Sequence, residues 1–325
     1  MEIKSLTMGL VSVAVDIIGV PITTLTALVS KIQARLGSKR LPISYKIWDF
    51  FGVAPVRYHY YQPIFKVSDL NEEIWTKEDP VYGINLSTEA QLNLLKNFNY
   101  NGELEKFPIK QPKEDSLTFY YDNWMFCSGD AEILYNIIRH FQPGKVIEIG
   151  SGFSTRIAKQ ALNENRLEGK ECKHICIEPY EAPWLEKLGV DQVMREKVEN
   201  LPISYFEDLG ENDILFIDSS HVLRTGGDVY YEFLRILPKL KPGVLVHIHD
   251  IFIPFEYPRR WLEKERWFWT EQYLLQAFLI FNSDFEVLLG LNYLANHYRQ
   301  ELEQVCPIFA QQKNRVASSF WLRRT

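Results

Sequence analysis

The sequence predicts an α/β protein, a doubly wound, Rossmann-like sheet preceded by an N-terminal extension. Three observations carry that expectation. From about residue 118 onward, short apolar runs of strand composition alternate with helical patterns. The runs are apolar along nearly their whole length, as parallel strands covered on both faces are. Four of them finish in charged or polar residues, and in doubly wound folds the carboxyl ends of the strands line the ligand crevice.

In chain order the strands are VIEIG (146–150), ICIE (175–178), QVM (192–194), ILFID (214–218) and VLVHIHD (244–250), with helical patterns at 129–140, 154–166, 181–188 and 227–237. A helix near 270–281, the run FEVLL (285–289), a helix near 292–304 and a last strand, SSFWLRR (318–324), complete the set. This makes five βα units followed by two strands joined through a helix. Upstream, residues 41–117 are rich in Pro, Tyr and Asn. They hold one short helix near 88–98, opened by the capping-box pattern Thr88-x-x-Gln91, and read as an elaboration packed on the domain at 118–325.

Residues 1–40 form a third segment. The stretch MGLVSVAVDIIGVPITTLTALVS (8–30) carries one charge, Asp16, and one proline, Pro21, and is long enough to span a bilayer. Lys31, Arg35, Lys39 and Arg40 follow it, a bias that keeps the rest of the chain cytoplasmic. Two readings stay open, association with a membrane surface and a helix packed on the domain or a partner. A cleaved signal peptide is not expected, since only Lys4 beside Glu2 charges the first residues.

The bulk numbers exclude some classes. With 325 residues, a net charge of −6 and no dense Lys/Arg stripe, binding to nucleic acid by phosphate neutralisation is not expected. Of the four cysteines, Cys127, Cys172, Cys176 and Cys306, only Cys172 and Cys176 are close in sequence. No second pair has zinc-ligand spacing, so free thiols are expected.

The strand ends hold the chemistry. Glu148 leads into GSGFST (150–155), where Gly150, Ser151 and Gly152 form a tight turn at a helix N-terminus. Glu178 ends the second strand, 28 residues after Gly150, where an acid accepts hydrogen bonds from ribose hydroxyls. A glycine turn followed by such an acid signals an adenosine-type ligand. A nicotinamide dinucleotide needs a third glycine in the turn, and Thr155 stands there.

At this point the residues resemble a family. VIEIGSGFSTRIA looks like motif I of class I S-adenosylmethionine-dependent methyltransferases, and ICIEPY looks like their second-strand acid motif. The stretch 212–258 is similar to a bacterial branch rich in small-molecule O-methyltransferase-like proteins. The resemblance covers about residues 118–325. It implies a seven-stranded sheet of order 3-2-1-4-5-7-6, with strand 7 antiparallel. It also implies that Glu148, Gly150, Ser151 and Gly152 hold the methionine end of the cofactor and Glu178 its ribose. Val198 and Glu199 would lie near the adenine, and Asp218 near the cofactor's amino group and the reacting centre.

Methyl transfer to a hydroxyl is an in-line displacement that needs a positioned nucleophile and a base or a metal. Asp218 and His221 leave strand four, while His249 and Asp250 leave strand five, so the two tips are neighbours. His221 is the first candidate for the base, with Asp218 orienting a donor or the cofactor amine and Asp250 orienting an imidazole. The same four residues, Asp218, His221, His249 and Asp250, are the candidate ligands of a divalent metal. Catechol-type enzymes, which the chain resembles only in layout, hold the ion with an acid after strand four and an Asp-Asn or Asp-Asp pair after strand five, where this chain has Asp250-Ile251.

His247 and His249 are expected on opposite sides of the strand, His247 in the core. Ser219 and Ser220 read as turn caps, and Asp130 as a helix-start charge. The aromatic stretches 57–65, 249–261 and 266–273 are candidates for the acceptor pocket. The sequence thus points to a cytoplasm-facing methyltransferase using S-adenosylmethionine on a small-molecule or glycan-like hydroxyl. The alternatives are a nicotinamide-dependent oxidoreductase and a catalytically idle adenosine-ligand module tethered to a membrane.

Overall fold

The computed structural model describes every residue except Met1, Glu114, Ser116 and Glu181, with side chains from Ser12 onward. The chain divides into two compact units, Met1–Asn71 and Glu72–Thr325. The division falls inside the expected 41–117 elaboration, whose larger part shares a unit with the sheet.

The first unit is helical. Helix α1, Glu2–Leu36, runs through Pro21 without ending. Its span Ser12–Leu36 is long and apolar enough to cross a membrane, and the side chains of residues 8–11 lie outside the described ones. Helix α2, Pro42–Phe50, follows, and Trp48 Nε1 donates to Gln33 Oε1 at 2.7 Å, pinning the two helices together.

The second unit begins with α3, Thr88–Leu95, and α4, Asn101–Leu104. The expected capping box at α3 is not formed. The Gln91 amide instead donates to Leu86 O and accepts from Gly290 N at 2.8 Å, so it ties the helix to the sheet. Helix α5 (Asp130–Phe141), β1 (Lys145–Ile149), α6 (Phe153–Leu167), β2 (Lys173–Ile177) and β3 (Gln192–Met194) come next. Then follow β4 (Ile214–Ile217), α7 (Asp228–Tyr231), β5 (Leu245–Ile248), α8 (Glu271–Leu279) and β6 (Phe285–Gly290). Helices α9 (Leu291–His297), α10 (Arg299–Val305) and α11 (Pro307–Gln311) precede the last strand, β7 (Phe320–Arg324).

The sheet order is β3-β2-β1-β4-β5-β7-β6. Strands β1 to β5 are parallel, and β7 is antiparallel to both β5 and β6, as the resemblance implied. Apolar side chains alternate between two buried layers, because successive residues of a strand point to opposite faces. Val146, Ile214 and Phe216 face the layer that holds α5 and α6. Ile147, Ile149, Leu215 and Ile217 face the layer that holds Phe233 and Leu275.

Two elements differ from the expected pattern. The helix at 181–188 reduces to a 3₁₀ turn at Glu186–Leu188, where Pro183 and Gly189 bracket too few residues for a longer helix. The helix at 227–237 is one α turn, α7, continued by a π-helical turn at Glu232–Ile236. Such π turns recur at functional sites.

The expected split of His247 and His249 is also corrected. Residues two apart on a strand share a face, and the two rings stack 5.7 Å apart on the same side. His247 is nevertheless the core member: it is fully buried, lies 4.0 Å from the Phe216 ring and bonds Ser319 Oγ at 2.9 Å.

Candidate active site

The parallel register lines up the tips of β1, β2 and β4 at Gly150. Gly150 N donates to Ile177 O at 3.0 Å, and Asp218 N to Ile149 O at 2.9 Å. Two cavities open at these tips and share Gly150, Glu178 and Asp218. One, of about 320 Å³, is lined further by Lys197, Val198 and Glu199, and both are lined by Ser219 and Ser220. The other, of about 970 Å³, is lined further by Ser151, Gly152, His221, His249 and Asp250.

The glycine turn rests on Gly150, whose φ is 83°; Gly152 has φ −165°, an extended value open to any residue. The methyl group of an alanine at 152 would meet nothing within 4 Å, whereas at 150 it would collide with the Asp218 carbonyl oxygen. Gly150 therefore makes the turn, and Gly152 keeps the cavity clear. Ser151 N donates to Glu178 Oε2 at 3.1 Å and Tyr180 N to Glu178 Oε1 at 2.9 Å. These bonds fix the carboxylate at the cavity and leave lone pairs free for a ligand's hydroxyls.

Glu148 is placed differently from its implied role. It is fully buried and lines neither cavity, because position 148 points into the α6 layer rather than into the crevice. Its Oε2 lies 3.0 Å from His174 Nε2 and accepts from Cys176 Sγ at 3.3 Å. These two bonds account for the one group with ligand-grade spacing among the described residues, Glu148, His174 and Cys176. All four cysteines are free.

At the tip of β4 the chain turns sharply, with His221 at φ 58°, a left-handed conformation that costs a non-glycine residue about 1–3 kcal/mol. His221 O accepts from Thr270 N and Glu271 N at 2.9 and 3.2 Å. That docking brings in a carboxylate that the sequence reading did not single out: Glu271 Oε2, almost wholly buried, lies 2.8 Å from His221 Nδ1. The other nitrogen, Nε2, faces Asp218 Oδ1 at a looser 3.3 Å. Trp269 covers the ring at 4.2 Å.

Burial disfavours the charged imidazole, but the hydrogen bonds and charges of Asp218 and Glu271 prevail and raise His221 well above the ordinary value. Burial also pushes Asp218 up, yet His249 and His221 outweigh it and hold that carboxyl at about 2. His249 is raised as well, burial being overcome by Asp250, Asp218 and Asp130.

At the tip of β5, Asp250 has φ 56°. Its Oδ1 accepts from Ser318 Oγ at 2.9 Å and lies 3.6 Å from His249 Nε2. Asp130 Oδ1 accepts from Ser318 N and Ser319 N at 2.9 and 2.6 Å, so it staples the start of β7 beside the site rather than only opening α5. Ser220 N and Oγ both donate to Asp228, and Ser219 Oγ donates to Glu232. The serines hold the turn. The four candidate metal ligands line one cavity, but their donor atoms are not among those gathered within one ion's reach.

Aromatic side chains wall the larger cavity. Trp267 and Trp269 stack at 4.9 Å and 6°, and Phe252 and Trp261 come from the stretch 249–261. Across the lining, Trp124 is 85% exposed with φ 72°. Asn123 holds that turn by accepting from Met125 N and Phe126 N and donating to Tyr120 O and Phe126 O. The stretch 57–65 belongs to the other unit.

Residues 147–251, from β1 to just past β5, match a family model described as a methyltransferase domain. An uncharacterized protein of Archaeoglobus fulgidus is 28% identical over 166 residues, which is 48% of this chain and 74% of that one. Among solved structures, the O-methyltransferase TomG from Streptomyces achromogenes in complex with SAM is 14% identical, with a TM-score of 0.36, over 81% of this chain and 99% of that one. The O-methyltransferase from Bacillus cereus in complex with SAH is 11% identical, with a TM-score of 0.34, over 73% and 91%. Residues 147–251 thus match a methyltransferase-domain model, within a sheet of the order that the resemblance implied.

Proposed function

We propose that the methyltransferase domain uses S-adenosylmethionine to methylate a hydroxyl of a small-molecule or glycan-like acceptor. One observation carries this reading: a fixed ribose-type acid, Glu178, and a buried Glu271–His221 dyad open on cavities that share the Gly150 turn. The residues fit the group. Glu178 would accept the ribose hydroxyls, Val198 and Glu199 would flank the adenine, and Ser151 lines the larger cavity beside the Gly150 turn. When bound, the cofactor supplies an electrophilic methyl on a sulfonium.

The protein's part is positioning and proton transfer. Glu271 orients His221 through Nδ1, which leaves Nε2 toward the crevice, where an acceptor hydroxyl would replace the loose Asp218 contact. His221 would then take and hold the proton of the acceptor hydroxyl, and Asp218 would be free to accept from the cofactor's amine. The exposed Trp124 and the Trp267–Trp269 stack suit an acceptor ring with an apolar face. Thr155 Oγ1 accepts from Gly152 N at 3.0 Å, so its side chain fills the turn where a dinucleotide fingerprint has glycine.

Calorimetric titration with S-adenosylhomocysteine, with NAD in parallel and each with and without EDTA, tests the reading. Binding of S-adenosylhomocysteine alone is the expected result. Binding of NAD instead, or of neither ligand to folded protein, would overturn it in favour of the oxidoreductase or the idle module. A response to EDTA would point to a metal near the ligand, with Asp218, His221, His249 and Asp250 as its candidate ligands.

Association with a membrane, with the domain on the cytoplasmic side, is supported by α1 and its neighbours. Ile17, Ile18, Ile22 and Leu25 are exposed along an apolar helix, and Lys31, Arg35, Lys39 and Arg40 follow. Helix α2 adds Ile43, Ile47 and Phe50, exposed at a spacing that puts them on one face. The full chain is expected to sediment with anionic lipid vesicles and a chain lacking residues 1–40 to stay in solution. Equal sedimentation of the two would remove the anchor.

A further inference from the structure

Arg156 stands in the first turn of α6 and lines the larger cavity beside Gly152 and Trp184. It is 9% exposed. The faces of its guanidinium are covered by two rings, Phe153 at 4.4 Å and Trp184 at 4.5 Å. The in-plane N–H groups are another matter. Nε is buried without a hydrogen-bond partner, and among the described residues no carboxylate lies within ion-pair distance.

The other arginines near this wall are matched. Arg260 pairs with Glu265 at 3.1 Å and Arg315 with Asp122 at 2.7 Å, while the buried Arg139 is held by Glu103 and Glu168. A buried Nε–H without a partner is costly, and Asp115, whose charge reaches this guanidinium, stands beyond ion-pair distance, so the donor is left for a ligand. Covered faces leave only the planar edge, which matches the two oxygens of a carboxylate. The N-terminal end of α6, fifteen residues long, adds favourable potential at the same place.

We propose that Arg156 is the anchor for a carboxylate of the ligand bound in the larger cavity. This rests on the reading of the preceding subsection. The carboxylate has two sources, the methionine end of the cofactor or an acidic sugar acceptor, and one experiment separates them.

Wild-type full chain, Arg156→Met and Arg156→Lys are titrated with S-adenosylhomocysteine and with 5′-methylthioadenosine, which lacks the amino-acid end. If the cofactor is the source, Arg156→Met weakens S-adenosylhomocysteine by roughly 10–100-fold and leaves methylthioadenosine within about threefold, while lysine recovers part of the loss. Unchanged methylthioadenosine binding also shows that the variant is folded. If an acceptor is the source, S-adenosylhomocysteine is unaffected, and saturation-transfer NMR at saturating S-adenosylhomocysteine shows D-glucuronate, but not D-glucose, bound to the wild type and lost in Arg156→Met. Indifference of both ligands to the substitution overturns the anchor. Wild-type protein that binds neither nucleoside overturns the cofactor reading itself, and the anchor with it.

Discussion

Gly150→Ala is expected to weaken S-adenosylhomocysteine binding by at least about 100-fold and to lower the melting temperature of the domain. Two costs add. The first is conformational: φ is 83° at this position, and a side chain there costs about 1–3 kcal/mol. The second is steric: the new methyl group would occupy the place of the Asp218 carbonyl oxygen, and overpacking of that kind costs about 1–3 kcal/mol. The collision cannot be relieved locally, because Gly150 N and Asp218 N are both tied into the sheet. The tips of β1 and β4 must part, and Asp218, which lines both cavities, moves with them. Gly152→Ala is the control. Its methyl group meets nothing within 4 Å and its φ is extended, so stability should change by less than about 0.5 kcal/mol. Equal behaviour of the two variants in thermal melts would show that the turn does not depend on Gly150.

The contrast between these glycines marks what the sequence could show. Apolar runs such as VIEIG and ILFID located the strands because burial on both faces leaves a composition signal in each segment. The order of the sheet came from a resemblance, not from periodicity. Residue types at the strand ends pointed to Glu178, Asp218, His221 and Asp250, which line the cavities at the tips because a parallel sheet brings all its carboxyl ends to one edge. Side-chain direction was harder. Glu148 points into the α6 layer to meet His174, two residues before Cys176 on the neighbouring strand, and cross-strand register is not written in either segment.

The longest-range partner was the least legible. Glu271 follows His221 by 50 residues and opens a helix, where an acid has an ordinary local reason to be. The stretch RWFWTEQY is conspicuous for its aromatics, and it lines the cavity through Trp267 and Trp269. Its one catalytic candidate is the carboxylate of Glu271, the first residue of α8. Arg156 was hidden in the same way: nothing in FSTRIA tells that Trp184 will close over the guanidinium.

His221→Ala should reduce methyl transfer to any hydroxyl acceptor by roughly 10²–10⁴-fold, the usual weight of a positioned base, with S-adenosylhomocysteine affinity kept. The pH dependence makes the sharper test. A base must lose its proton first, so the rate should rise with pH through a value above the ordinary imidazole pKa, because Asp218 and Glu271 raise it. Stability runs the other way. The folded pKa of His221 exceeds its unfolded value of about 6.5, so the contribution of the imidazolium is complete below that pH and is lost as pH rises through the folded value. The difference in stability between wild type and His221→Ala should therefore shrink as pH increases, over the same range in which activity grows. Glu271→Gln removes one of the two carboxylates that raise the imidazole, so the His221 pKa measured by ring-proton NMR should fall, and the rising limb of the rate profile should move to lower pH with it. A limb that stays in place while the NMR titration moves would assign the base to another group, and His249, raised by Asp250, Asp218 and Asp130 in the same cavity, would be the next to substitute.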